Sequence, residues 1–322
     1  MTAERDWDEE MGWDRNYAKD ALVCDIKMVK EDMPRLLRGK TTESIIENVR
    51  KNGIAKSFGE LWDTVFAGIG ISREGNGAKP ENIIKIGCNG FVTIPILRNY
   101  CYLLKELGIG YDFLRKEYCC LAPALYGVLM RGQDRSPVDD SARKMMNGNV
   151  AQAKVLGAKN MVNFCLFCCW RAKWLLENSD MPQLYAFDIL LPQELWEGKR
   201  LHLNQRVGFL PMAGGVADAR RKVYVPESVA ADILKLPWQD YRKLLDRVEG
   251  LQVIDLSNND YSQGYGVIWE ELRQNKLETL VVNHPQEYSG LVRMASKEAP
   301  GIKIRLLPDI LLHALGVDPW WK

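Results

Sequence analysis

From Pro80 onward the chain alternates short apolar runs with longer segments that stop at glycine, and this rhythm restricts it to one class of architecture. Ile83-Ile84-Lys85-Ile86 reads as a strand. Ile94 to Leu107 reads as a helix ended by Gly108, and Tyr111 to Leu114 as a second strand. Ser141 to Leu156 is a long helix stopped by Gly157, Asn160 to Phe164 a third strand, and Trp170 to Leu176 a following helix. Strands that alternate with helices of this length predict an α/β fold, a parallel sheet with helices on both faces.

The rhythm returns from about Arg206. Val207 to Pro211, Leu251 to Asp255 and Leu280 to Asn283 resemble the three strands of the first half. A glycine-containing loop, Tyr261 to Gly266, follows the second of them, and Ile302 to Leu306 with Ile310 to Leu315 closes the chain. The expectation is an internal duplicate. Residues before Pro80 read as a helical extension. Pro34-Arg-Leu-Leu-Arg starts one helix, Thr41 caps another that runs to Val49 and stops at Gly53, and Leu61, Val65 and Ile69 continue an apolar stripe. Ser72 to Pro80 reads as a linker. The organisation expected is a helical extension over 1–80, a first α/β domain over 81–200 and a second over 201–322.

Charge excludes some partners. With 43 Lys and Arg against 42 Asp and Glu, the net charge is +1, so nothing global favours nucleic acid or an anionic membrane. No apolar run approaches the roughly 20 residues a membrane helix needs. The acidic start MTAERDWDEEMGWD has no basic or apolar stretch of the secretory kind. The location expected is cytoplasmic, with no membrane span.

Eight cysteines stand at 24, 88, 101, 119, 120, 165, 168 and 169. Five fall into two tight knots, and thiol knots in a reducing compartment point to metal binding or catalysis. Cys88 follows the first strand, Cys119 and Cys120 the second, and Cys165 the third. In open α/β sheets, ligands bind beyond the carboxyl ends of the strands, so three loops deliver five thiols to one sheet edge. The pattern is C-x30-CC-x44-C-x2-C. Zinc takes four ligands, commonly from two CxxC knuckles, whereas this chain has one CxxC and a surplus thiol. Soft thiolates suit zinc, copper(I) or iron–sulfur clusters, and the surplus favours a multi-iron cluster. The compact CxxCxxCxxxCP run of ferredoxins is absent.

Those five cysteines, with Lys116-Glu117-Tyr118 before the pair, Ala122-Pro123 after it, and Asn149-x-x-x-Ala153-x-x-x-Gly157 leading to Asn160-Met-Val-Asn-Phe-Cys165, resemble the cysteine-rich CCG domain. That family includes a cluster-binding subunit of heterodisulfide reductase and related subunits of glycolate, lactate and thiol:fumarate oxidoreductases. The resemblance covers residues 83 to 176 well and 206 to 315 weakly. It implies two CCG domains related by pseudo-twofold symmetry, each a small parallel sheet with helices on both faces. It also implies a noncubane [4Fe–4S] cluster held by Cys88, Cys119, Cys120, Cys165 and Cys168. Leu121 stands where the family carries the glycine that names it, the x44 spacing is longer than usual, and the second domain is degenerate, without ligand cysteines. The function implied is a one-cluster redox subunit of a heterodisulfide-reductase-like complex, an oxidoreductase acting on disulfide, thiol or persulfide sulfur. The alternative is a non-catalytic electron-relay or assembly subunit that docks a catalytic homologue. Ile45 to Gly53 is similar to the segment that follows the ferredoxin clusters in fused relatives. Without those clusters, electrons must come from a separate ferredoxin-like iron–sulfur subunit, a flavin subunit, or both.

Other residues carry plainer expectations. Cys169 reads as packed on the helix after Cys168, and Cys24 and Cys101 as buried small hydrophobes. Arg98, Arg143, Arg171 and Lys173 lie near the ligand loops, where either cluster charge or a solvated helix face accounts for them. His284-Pro-Gln-Glu287 stands where the first half has Cys165-Leu-Phe-Cys168. A histidine and a carboxylate three apart suit a metal, and a surface loop at a strand end is the simpler reading. His202, His284 and His313 share no metal spacing, and no phosphate-loop glycine pattern occurs.

Overall fold

A computed structural model describes residues 71–72, 75, 80–87, 94–114, 117–122, 125, 128–129, 131–211, 225–226, 237–257 and 265–318. The expected helices before residue 70, Cys24, Cys88 and Trp320-Trp321 lie outside the described residues.

The chain is α/β and carries two four-stranded sheets. The first is built from β1 (Asn82–Lys85), β2 (Tyr111–Phe113), β3 (Asn160–Asn163) and β4 (Gln183–Tyr185), in the order β2-β1-β3-β4. β1 runs parallel to both β2 and β3. The second is built from β5 (His202–Leu210), β6 (Glu249–Asp255), β7 (Thr279–Val282) and β8 (Lys303–Leu306), in the order β6-β5-β7-β8. Its strand pairs are likewise parallel. The two orders are the same once the strands are counted within each sheet, which is the topology of a duplicated unit.

Six α-helices of the described residues lie between these strands, α1 (Ile94–Glu106), α2 (Ser136–Val155), α3 (Leu166–Leu175), α4 (Trp238–Asp246), α5 (Gly266–Gln274) and α6 (Pro285–Glu298), and α7 (Leu307–Ala314) follows the last strand. α1 and α2 stop where glycine permits a left-handed turn. Gly108 and Gly157 have φ of +70° and +79°. The next N–H, of Ile109 or Ala158, closes back onto Leu104 or Ala153, which satisfies an orphan helix carbonyl. None of the described helices is long and apolar enough to cross a membrane.

Burial follows the rule for parallel sheets. Every residue of β1 is buried, as expected of a strand covered on both faces. Ile83 and Ile84 each contribute roughly 2 kcal/mol from apolar burial. β7 is buried along its whole length. The start of β5 is different: His202 to Arg206 alternate between exposed and half-buried, and only Val207 to Leu210 enter the core. That polar half escapes an apolar-run reading, so the strand begins five residues earlier than expected. β4, α4, α5 and α6 are further elements the periodicity did not mark.

Two readings are corrected. His284 to Glu287 is not a surface loop: His284 is the N-cap of α6 and fully buried, and Glu287 is buried too. Helix α3 begins at Leu166 rather than Trp170. Its first turn, Leu-Phe-Cys-Cys, is apolar on every side and gives no helical stripe to read.

The chain divides into two compact units, one reaching Ile94 and taking up Gly110–Gln183, the other made of Pro95–Ile109 with Leu184 onward. Helix α1 thus belongs almost wholly to the second unit, and its polar contacts say why. Asn99 donates to the Asp309 carboxylate at 2.8 Å, and the Tyr100 hydroxyl donates to the Ala186 carbonyl at 2.7 Å. The other Asp309 oxygen accepts the Leu306 N–H at 2.8 Å, which caps α7.

Burial pushes the Asp309 carboxyl up to about 6, against the two hydrogen bonds and the Arg305 charge that pull it down. An acid whose folded pKa is raised holds its proton more tightly when folded, so its contribution is fully present below the unfolded pKa, near 4, and is lost as pH rises towards 6. In urea titrations, the stability of the wild type minus that of Asp309→Asn is expected to fall between pH 4 and pH 6, by up to about 3 kcal/mol. A difference flat with pH contradicts the assignment.

Candidate metal centre

The carboxyl ends of β1, β2 and β3 gather the thiols of the first unit. Cys165 is the N-cap residue of α3, with an extended backbone, and Cys168 lies one turn into that helix. Cys119 and Cys120 follow β2. Cys120, Cys165 and Cys168 are buried and Cys119 is half-buried. The Cys168 Sγ lies 3.4 Å from the Cys120 Sγ and donates to it. Cys168 also bonds Cys165, and Cys119 bonds Cys120. Four of the five cysteines expected as ligands therefore meet. The fifth, Cys88, lies outside the described residues.

The loop that holds Cys119 and Cys120 is fastened from three sides. The Asn149 side chain, buried on α2, accepts the Tyr118 N–H and donates to the Tyr118 carbonyl, both at 2.8 Å. The helix has glycine at 148, where a Cβ would stand 3.1 Å from the Tyr118 ring. The Glu117 carboxylate accepts the N–H groups of Ile86 and Gly87 at 2.6 and 2.9 Å, which ties the end of β1 to the loop after β2. Arg171, fully buried on α3, donates to the Cys120 carbonyl at 2.7 Å and to Asp139 at 2.8 Å. The second Asp139 oxygen accepts from Arg135 at 2.7 Å.

Backbone shape at the pair is unusual. Leu121 has φ of +56°, in the left-handed region that costs a side chain about 1–2 kcal/mol, and its N–H donates to the Cys119 Sγ at 3.3 Å. The turn demands what glycine gives freely, at the position where the resemblance leads one to expect glycine. Leu121 is 1% exposed, so burial of its side chain offsets the strain. Gly87 has φ of +73°, and a Cβ there would stand 3.0 Å from the Cys165 Cβ and 3.3 Å from the Cys168 Sγ.

The electrostatics centre on Lys85. This last residue of β1 is buried, and its Nζ donates to the Cys168 Sγ at 3.1 Å. Burial alone would lower its pKa, yet the negative charge at Cys168, Cys120, Glu117 and Cys119 raises it well above the ordinary lysine value. Hydrogen bonds from Cys119 and Cys168, helped by the Lys85 and Arg171 charges, hold Cys120 well below the usual thiol range. Cys165 is lowered by its bond to Cys168. Cys168 is raised well above that range, because it keeps its proton to donate to Cys120 and Cys165 and is buried. Cys168 thus stands between Lys85 and Cys120, 3.1 Å from the Lys85 Nζ and 3.4 Å from the Cys120 Sγ. The sum of these interactions is a buried cluster of soft donors with a basic side chain against it.

That donor set fits a thiophilic metal group by chemistry: sulfur ligands, backbone N–H donors beside them, and cations to offset ligand charge. In geometry the sulfurs are close together. Two thiolates on one tetrahedral zinc stand about 3.8 Å apart, given Zn–S bonds of about 2.3 Å, so seating a metal requires Cys120 and Cys168 to separate. Among the described residues no group of three or more His, Cys, Asp or Glu side chains stands ready to hold a metal ion.

Sequence reasoning missed Lys85, Glu117 and Asp139 as site residues. The signal for Lys85 was present: a lysine inside Ile-Ile-Lys-Ile, on a strand apolar to both faces, has no solvated side to occupy. Of the four cations named from sequence, Arg171 is at the site, whereas Arg143 is half-exposed and pairs with Asp140 at 2.8 Å, and Arg98 lies over the Tyr102 ring. Cys169 is buried with its Sγ 4.0 Å from the Gln183 carbonyl oxygen, the packed residue expected. Cys101 is buried on α1. In the second unit Glu287 accepts from the Tyr265 hydroxyl at 2.8 Å.

No family model matches the chain, and no curated protein matches it. A solved structure of glutamate racemase isoform RacE1 from Bacillus anthracis aligns with a TM-score of 0.30 and 9% identity, over 76% of this chain and 81% of that one. A likeness that distant bears on neither the thiols nor their chemistry.

Two substitutions test the loop. Asn149→Ala leaves both polar backbone groups of Tyr118 without their partner, and is expected to cost roughly 2 kcal/mol in chemical denaturation. An unchanged midpoint contradicts the anchoring role. Leu121→Gly relieves the left-handed strain but removes a buried side chain whose loss costs about 2–5 kcal/mol. The expected result is a net loss of about 1–3 kcal/mol, and a gain in thermal stability would show that strain dominates.

Proposed function

We propose that the first unit holds an iron–sulfur cluster on Cys119, Cys120, Cys165 and Cys168, with Cys88 as the fifth ligand. The observation that carries this reading is the meeting of four thiols, from the loop after β2 and the start of α3, with the buried Lys85 hydrogen-bonded to Cys168. Four thiols would satisfy a structural zinc. What favours a cluster is the buried cation beside them, since a thiolate-ligated cluster is an anion that a buried site must neutralise, and the fifth cysteine, Cys88, that the resemblance adds. The resemblance to the CCG domain supplies the finer identity, a noncubane [4Fe–4S] cluster. It also supplies the role, that of a redox subunit acting on disulfide, thiol or persulfide sulfur in a heterodisulfide-reductase-like complex.

When bound, the cluster supplies electron storage and a thiophilic iron. The chain's own residues do the rest. Lys85 and Arg171 hold positive charge beside the sulfurs. Glu117 and Asn149 fix the two loops relative to β1 and α2, and burial of three of the thiols excludes water. Half-buried Cys119 marks the open side, where a sulfur-containing substrate would enter. Electrons would come from a ferredoxin-like iron–sulfur subunit, a flavin subunit, or both, in the cytoplasm, and the reading invokes no nucleic acid.

A second reading has one observation in its favour: residues 184–322 contain no cysteine. The chain is then a relay or assembly subunit whose second unit docks a catalytic homologue. Disulfide-reductase turnover by the isolated chain with an artificial donor excludes it.

The test is chemical. Protein purified without oxygen is expected to contain iron and acid-labile sulfide in equal amounts, with an EPR signal on reduction or oxidation. Cys120→Ser and Cys168→Ser are expected to lose most of the iron, and Cys169→Ser to keep it. One equivalent of zinc without iron overturns the proposal.

A further inference from the structure

The chain contains its own control for Lys85. In the first sheet the last residue of the central strand, Lys85, pairs with the last residue of the third strand, Asn163. In the second sheet the residue so paired is Leu210, opposite Val282. Two residues past Asn163 and Val282, Cys165 and His284 are each the N-cap of the helix that follows. Lys85 and Leu210 are therefore the same structural position in the two units, and both are buried, at 2% and 1% exposure. The scaffold needs no lysine there, since the second unit fills the place with leucine. What separates the two positions is the sulfur: Cys168 stands 3.1 Å from the Lys85 ammonium, and the helix after β7 has Glu287 where α3 has Cys168.

We infer that Lys85 is a dedicated counter-charge for the sulfur centre, present to hold thiolate ligands at the end of β1 and to tune the electron affinity of what they bind. The inference rests on the thiolate site of the proposed function and goes beyond it by assigning a positioning role to a residue that is no ligand. Glu117 is the rival anion. Its two oxygens, however, already accept the Ile86 and Gly87 N–H groups, whereas the Lys85 ammonium is directed at sulfur. A hydrogen bond and a positive charge at a ligand sulfur favour the reduced state of an iron–sulfur centre.

A double-mutant cycle measures the pairing without any metal. In metal-free protein with its thiols intact, Lys85→Leu is expected to lower the melting temperature, because it removes the buried donor that the Cys168 sulfur accepts from at 3.1 Å. In the Cys120→Ala/Cys168→Ala background the same substitution is expected to raise it, because the ammonium there is buried without its partner. A fall of similar size in both backgrounds overturns the inference and leaves Lys85 as the partner of Glu117. In the iron-loaded protein, Lys85→Leu is expected to weaken reduction at least tenfold, a shift of about 59 mV for one electron, and Lys85→Arg to restore most of it. An unchanged potential also overturns the inference. Absence of iron from the wild type fails the proposed function alone, since the melting cycle then still judges the counter-charge.

Discussion

A lysine ammonium and a cluster of cysteine sulfurs share the interior of this protein, and the arrangement of the first unit depends on their staying together. Removing an ion from water costs several kcal/mol even after relaxation. Lys85 is held at that cost on the most buried strand of its sheet, with the Cys168 sulfur 3.1 Å away. The rest of the site keeps that geometry in place. Glu117 draws the β1 end to the loop after β2, Arg171 grips the Cys120 carbonyl, and Asn149 clasps Tyr118. None of these side chains is a thiol, yet each positions one.

The duplicated topology shows what scaffold dictates and what chemistry adds. Both sheets have the strand order 2-1-3-4 when counted from their own first strand, and both place a helix N-cap two residues beyond the third strand. Even the fourth strands end alike. Asp188 accepts the Tyr185 N–H three residues back, as Asp309 accepts that of Leu306. On this common frame one unit carries thiols and a buried cation, and the other carries leucine, histidine and glutamate. The chemical character of each strand end is thus set by a few side chains, while the hydrogen-bonded ladders beneath them remain equivalent.

Much of the frame was legible because its signals are local. Glycine stops such as Gly108 and Gly157 mark helix ends, and the apolar runs of β1, β3 and β7 mark strands buried on both faces. Elements whose residues are polar or evenly apolar were not legible: the exposed half of β5, the first turn of α3, and the helix that His284 opens. At the site, cysteine spacing and the order of strands sufficed to bring Cys119, Cys120, Cys165 and Cys168 together. The partners of those thiols were hidden for a physical reason. Lys85, Glu117 and Asp139 are common surface residues, and only tertiary burial turns each into a fixed charge. Leu121 hides its role differently, because a left-handed backbone leaves no mark when the residue is not glycine.

The most direct test of the account is anomalous diffraction at the iron edge from crystals grown without oxygen. The account predicts iron peaks within bonding distance of the sulfurs of Cys120, Cys165 and Cys168, with the Lys85 ammonium beside them. A pocket whose sulfurs bond only to one another, or to a single zinc, would contradict it.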